Sequence, residues 1–252
     1  MSPAGGDRVD LHLHTTASDG SETAEVLVIK AASLGLAAIA ITDHDTIGSV
    51  RAGLEAGAKH GMEVVPGVEI GIAHDPDRHL VEIDILGYFI DPEFAELVDA
   101  LERLQDAKNG KLYRQIDVLA DNGLPISAEE VLAEAAGDTV RRPHIWKVLH
   151  RHHPDFPSQE FFGNTSFGGK WHVTRDFSLT LEECVDLIGR AGGVSVLAHP
   201  GAYNETFAKG GVMVDPNVDL AIDVCAEAGV AGLEIYYSYD KNRPYYKGEP
   251  LI

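Results

Sequence analysis

Cysteine, basic residues and long apolar runs are all scarce in this sequence. Only Cys184 and Cys225 occur among 252 residues, too few and too isolated for a disulfide framework or a cysteine-based zinc site. That usage suits a reducing, cytoplasmic setting. Lys and Arg total 20 against 40 Asp and Glu, so the formal charge is −20, which repels a nucleic-acid backbone and argues against a duplex-binding surface. A phosphate-bearing ligand then needs a local source of positive charge. The longest apolar stretch, residues 34–41, falls far short of the roughly 20 residues of a membrane span, and residues 1–7 carry no apolar signal-peptide core, so no membrane partner is expected. With 44% hydrophobic residues the chain nonetheless has ample material for a core, and disorder is excluded.

Short β-rich runs alternate with helical ones from residue 8 onward: 9–15 then 23–34, 37–42 then 47–60, then 64–72. This rhythm predicts a parallel α/β core. Gly35, Gly61 and Gly229 stand where helices should stop. After a strand-like run over 81–89, Asp91-Pro92 reads as the start of a long helix with an apolar stripe at Leu97, Leu101, Leu104, Leu112, Ile116 and Leu119. A second helix starts at the capping box Ser127-x-x-Glu130 and a third covers 140–150. Residues 91–177 therefore read as a helical insertion, with 1–90 and 178–252 forming the α/β domain. Its rhythm resumes with a helix capped by Thr180-x-x-Glu183, a strand over 193–199, a helix after Asp215-Pro216 and a strand over 232–237.

The chain has 12 histidines, and several sit at the ends of predicted strands, where α/β folds place their active sites. His12 and His14 lie two apart on a strand, so both side chains share a face, as two ligands of one metal must. Asp19 follows in the next loop. Thr42-Asp43-His44-Asp45 ends a very apolar strand, and a cation is the natural partner for polar groups buried there, although Asp43 or Asp45 is also suited to capping the next helix. Glu69 ends the third strand among apolar neighbours, a carboxylate suited to bridging two metals. His199 ends another buried strand. Four strands ending in this way are hard to explain by packing.

These segments resemble the PHP (polymerase and histidinol phosphatase) domain, and within it the stand-alone metal-dependent phosphoesterases that act on nucleotides. The resemblance rests on Asp10-Leu-His12-Leu-His14-Thr-Thr-Ala-Ser-Asp19-Gly, Ile41-Thr-Asp-His44-Asp, Pro66-Gly-Val-Glu69, Arg142-Pro-His144 and Leu197-Ala-His199-Pro, in order along the chain. It implies a distorted, TIM-like β/α barrel of about seven strands, two or three divalent ions (manganese, iron or zinc), and an insertion that caps the metal site. By the same resemblance His12, His14 and Glu69 bind one metal, Glu69 bridges to a second also held by His199, and Asp19 and His44 belong to a third. The family's remaining ligand to the second metal is a histidine where this chain has Asp84, a harder ligand that adds one negative charge. His79, five residues upstream and on the opposite strand face, is a poor substitute. The family's closing Ser-Asp-x-His is not found in 238–252, which hold no histidine. Either the chain is a piece of a longer protein or the third metal is lost, and Asp240 is not expected to replace it.

For the phosphate, Arg142 and His144 open a helix of the insertion, and Arg suits bidentate phosphate contacts. Lys170 is a second basic candidate, in a glycine-rich loop beside Trp171, which is more suited to packing than to stacking on a base. The expected activity is hydrolysis of a phosphate ester of a nucleotide or short oligonucleotide, such as a nucleoside 3′,5′-bisphosphate. A water shared by two metals that Glu69 bridges would be the nucleophile, and Glu69, His199 and Arg142 would be central to catalysis. The rivals are an amidohydrolase or deaminase, a histidinol-phosphate phosphatase, and a non-catalytic module that binds metal or nucleotide.

Overall fold

The computed structural model describes residues 8–135, 140, 142–200 and 218–235, with the backbone alone of 245–246 and 249–250. Its centre is a six-stranded sheet in the order β1 (Val9–Leu13), β2 (Ala38–Ile41), β3 (Glu63–Gly71), β4 (Asp84–Tyr88), β5 (Val194–Leu197) and β6 (Gly232–Leu233). Strands β7 (Tyr245–Tyr246) and β8 (Glu249–Pro250) form a separate antiparallel pair. Helix α1 (Ala24–Ser33) joins β1 to β2, α2 (Val50–His60) joins β2 to β3, and α8 (Val218–Glu227) precedes β6; across each of these crossovers the strands are parallel. The predicted all-parallel core fails at β4, which runs antiparallel to both neighbours. The reason is local: β3 and β4 are joined only by a loop with a three-residue 3₁₀ turn, Pro76–Arg78, so the chain doubles back without a crossover helix.

This topology gathers the C-terminal ends of β1, β2, β3, β5 and β6, and the N-terminal end of β4, along one edge of the sheet. The sheet also curls, because His12 on edge strand β1 comes within 3.1 Å of Glu234, just past the opposite edge strand β6. Among the described residues β1 and β6 do not pair, and the six strands form a curled half-barrel.

Period-two alternation in β3 divides its residues between two environments. Val68 and Ile70 turn outward into the main core with Ile85, Leu97, Leu101, Leu104 and the apolar face of α7 (Leu181–Arg190). Val65 and Glu69 turn inward, and Val65 packs there with Ala40, Leu86, Tyr88 and Ala198. Helix α3 spans Ala95–Asp121, starting later than Asp91-Pro92 suggests. Asp91 instead closes a turn, its carboxylate accepting from the Glu93 N–H at 2.9 Å and its carbonyl from Phe94 at 3.1 Å. The apolar stripe of α3 is shared between two clusters. Leu97 to Leu104 enter the main core, while Leu112 and Leu119 pack with Val131 of α4 (Ala128–Ala135), Leu149 of α5 (Arg142–His152), Phe161 of α6 (Ser158–Thr165) and Trp171. Helix α6 was not apparent in the sequence, and Trp171 is a buried packing residue.

The capping box at Thr180 is complete: its hydroxyl accepts from the Glu183 N–H at 3.2 Å and Glu183 accepts from the Thr180 N–H at 2.8 Å. Gly61 ends α2 at φ 67°, a left-handed conformation that favours glycine. Asp215, Pro216 and Asp240 lie outside the described residues. No helix among the described residues is long and apolar enough to cross a membrane. Because Leu104 is fully buried where α3 meets the sheet, Leu104→Ala is expected to cost about 2–5 kcal/mol of stability, seen as a lower urea midpoint at unchanged slope.

Candidate metal centre

Each strand of the gathered edge contributes a polar side chain. His12 on β1 and His14 just past its end have ring centroids 5.0 Å apart. His44 follows β2, where a backbone bridge to Glu69 extends the β2–β3 ladder. Glu69 lies on β3, Asp84 opens β4, and His199 follows β5. Asp19 approaches from the loop after β1, 3.5 Å from His14 Nδ1 and 3.8 Å from His44 Nε2.

Glu69 is the hub. Its side chain has no solvent exposure, and Oε2 stands 3.3 Å from His12 Nε2, 3.4 Å from His14 Nε2 and 2.8 Å from His44 Nδ1, while Oε1 stands 3.0 Å from His199 Nε2. Burial alone would raise its pKa, but the surrounding His44, His12 and His199 hold it well below the usual carboxylate range. Burial opposes protonation of His12, yet the bonds to Glu234 and Glu69 outweigh it and raise the ring to about 10. Three donor sets lie close enough for one ion each: His12, His14 and Glu69; His14, Asp19 and His44; and His44, Glu69 and Asp84, with donor atoms in each set within 4.8 Å of one another. His199 also lies 3.9 Å from Asp84 Oδ2. The residues fit a divalent ion. Glu69 Oε2 is buried without a satisfying hydrogen bond, and imidazole and carboxylate donors converge on it in the mixture that manganese, iron and zinc accept.

The two aspartates beside His44 have other work. Asp43 is fully buried and spends its carboxylate on the Thr15 N–H (2.7 Å) and the hydroxyls of Thr15 (2.7 Å), Ser18 (2.5 Å) and Ser49, which ties the loop after β1 to the start of α2. Asp45 accepts from the Gly71 N–H at 3.1 Å and pairs with Lys108 and Arg175. Those cations outweigh burial and lower its pKa. Both aspartates thus position their neighbours, and the cation partners of Asp45 are side chains. Asp45 and His199 take left-handed backbone conformations, φ 51° and 27°, each a strain of about 1–3 kcal/mol that flanking hydrogen bonds must hold.

Glu234 escaped the sequence reading. It accepts from His12 Nδ1 at 3.1 Å and, through Oε2, from the His199 N–H at 2.7 Å, so it orients one imidazole and fixes the strained backbone of another. Its signal was available, since it ends β6 as the candidate ligands end theirs. Of the basic candidates, Arg142 donates to Ser166 Oγ at 2.6 Å and to Glu82 at 3.1 Å, and His144 is half-buried on α5. Lys170 is exposed, its Nζ 4.8 Å from the centre of the Trp171 ring.

Fold and site together define an α/β protein with a histidine–carboxylate centre for divalent metal at one sheet edge. The chain belongs to the PHP domain family, whose model matches residues 10–155. The chain is 32% identical over 197 residues to the 5′-3′ exoribonuclease Rnm of Escherichia coli, covering 77% of this chain and 66% of that one. It is 28% identical over 232 residues to phosphoribosyl 1,2-cyclic phosphate 1,2-diphosphodiesterase of Eggerthella lenta, covering 90% and 82%. It is also 28% identical over 197 residues to 3′,5′-nucleoside bisphosphate phosphatase of Chromobacterium violaceum, covering 78% and 68%. All three relatives are hydrolases by name. A solved structure from Bifidobacterium adolescentis, described as a metal-dependent phosphoesterase, superposes with a TM-score of 0.71 at 28% identity, covering 90% of this chain and 77% of that one.

Glu234→Gln is expected to weaken metal affinity about 10–100-fold at unchanged far-UV circular dichroism, measured by competition with a chelator. An ion on His12 Nε2 must also displace the proton that Glu69 holds there, so affinity in the same competition assay should strengthen as pH rises from 6 to 9.

Proposed function

We propose that this protein is a metal-dependent phosphoesterase that hydrolyses a phosphate ester of a nucleotide or short oligonucleotide, such as a nucleoside 3′,5′-bisphosphate. The observation that carries the reading is the convergence of His12, His14, His44 and His199 on the buried carboxylate of Glu69, with Asp19 and Asp84 at its margins. The names of the relatives, all enzymes of phosphate esters, supply the reaction class. In this reading residues 1–90 and 178–252 carry the centre, and the helical segment 91–177 caps it.

Divalent ions in such a site polarise phosphoryl oxygens and acidify water. His12, His14 and Glu69 would hold one ion, Glu69, Asp84 and His199 a second, and Asp19 with His44 a third. Glu69 can serve two ions because its oxygens face different imidazoles. Arg142, kept in one pose by Glu82 and Ser166, would orient the phosphate, and His144 on the same helix is a second candidate for that contact. Lys170, exposed beside Trp171, is a further basic candidate. Asp84 contributes oxygen where nitrogen would be softer, which favours manganese or iron over zinc at that position.

Phosphate release from adenosine 3′,5′-bisphosphate with added manganese, wild type beside His199→Ala, tests the reading. The variant is expected to lose at least about a hundredfold in turnover. Equal turnover by both proteins, or silence of the metal-loaded wild type across nucleotides and sugar phosphates, would contradict it and favour a binding module.

A further inference from the structure

Arg175 lies outside the three donor sets, yet it is built into the edge of the metal centre. The segment that carries it, before α7, is anchored on both sides. Arg114 of α3 donates to the Thr174 carbonyl at 2.9 Å and to the Asp176 carboxylate at 2.6 Å, and the Ala73 N–H, just past β3, donates to the Leu179 carbonyl at 2.7 Å. Arg175 is thereby brought over Gly71, where Nη1 lies 3.5 Å from the Gly71 carbonyl and 3.5 Å from Asp45 Oδ2. Gly71 stands opposite Asp84 in the β3–β4 ladder, two residues beyond Glu69 and on the same face. A methyl carbon placed on Gly71 would stand 3.0 Å from Asp84 Oδ1 and 3.1 Å from Arg175 Nη2. The missing side chain leaves the space that the carboxylate and the guanidinium share.

Two carboxylates crowd together at this point. Asp84 and Glu69 belong to one donor set with His44, whose donor atoms lie within 4.8 Å of one another, and both approach His199 Nε2, at 3.9 and 3.0 Å. Like charges so close disfavour each other unless cations stand beside them. Of the two cations at Asp45, Lys108 alone matches the charge of that aspartate. The charge of Arg175 is therefore available to Asp84, whose Oδ1 faces it while Oδ2 faces His199. A guanidinium keeps its charge at every working pH, so an ion bound through Asp84 always meets a positive charge already in place on the other side of the carboxylate.

We propose that Arg175 is the resident counter-cation of Asp84: lodged over Gly71, it positions one carboxylate oxygen, offsets the Asp84–Glu69 repulsion in the metal-free protein, and so weakens and sets the affinity for the ion held through Asp84. Strand pairing fixes the backbone of Asp84, so losing Arg175 costs little alignment, whereas losing its charge removes a repulsion from a divalent ion. The inference rests on the assignment of Asp84 to an ion in the phosphoesterase reading, and not on the substrate.

The test titrates the full chain with manganese and reads free ion by its electron paramagnetic resonance signal, with no turnover involved. Asp84→Asn identifies the ion in question as the equivalent whose binding it weakens. Arg175→Met should tighten that same equivalent about tenfold or more, Arg175→Lys should stay within about threefold of wild type, and Arg175→Met added to Asp84→Asn should change little. Weaker or unchanged binding in Arg175→Met, an equal shift with and without the Asp84 carboxylate, or no effect of Asp84→Asn would each overturn the inference. Stability of the metal-free protein is a second readout. With chelator present, Arg175→Met should lower the urea midpoint more in the wild-type background than in Asp84→Asn, because only the former leaves the carboxylate pair without its cation. Equal losses in the two backgrounds would mean that Arg175 serves Asp45 alone, and would overturn the inference. If the predicted coupling appears but no ester is cleaved, the inference stands and only the phosphoesterase reading falls.

Discussion

The structure depends on one buried carboxylate. Glu69 sits at the inner face of β3 with no solvent exposure, and His12, His14, His44 and His199 each bring a ring nitrogen within 3.4 Å of its oxygens. A charge so placed is tolerable only if its partners are held accurately, because removing one partner from a buried charge costs several kcal/mol. The curl of the sheet follows from this constraint, since β1, β5 and β6 must all approach β3 although only β2 and β4 pair with it. Glu234 locks that curl by binding His12 on one edge strand and the His199 backbone beyond β5.

Around the hub, acidic residues divide the work. Asp43 holds a loop and a helix start through four hydrogen bonds, Asp45 anchors α3 through Lys108, and Asp19 and Asp84 face the histidines. Basic side chains stand close by, Lys108 and Arg175 on Asp45 and Arg142 on Glu82. A strongly acidic protein can in this way present a local attraction to phosphate without a basic surface.

Much of this was legible because strand ends are legible. His-x-His on β1, His44 after an apolar strand, Glu69 on β3 and His199 after β5 stand out because polar residues interrupt or terminate apolar runs. The direction of β4 was not readable from periodicity, which is the same for parallel and antiparallel strands; it followed from the length and content of the β3–β4 loop. The start of α3 was misjudged because Asp-Pro opens turns as readily as helices. The roles of Asp43 and Asp45 stayed open because a capping, an ion-paired and a metal-binding aspartate look alike in one dimension. Lys108 and Arg175 were hidden for a different reason: they lie on a helix and a loop remote in sequence from the Asp45 they bind, and nothing local distinguishes them from solvated cations.

The central claim is that Glu69 organises a multi-ion centre, and counting metal equivalents per chain in wild type and Glu69→Gln tests it most directly. That substitution keeps the shape of the side chain and removes its charge. After equilibration with manganese and removal of free ion, wild type should retain two or more equivalents, and the variant should fall by more than one with its fold intact. A variant that keeps the wild-type complement would show that the surrounding residues hold metal without Glu69, and the account would be wrong at its root.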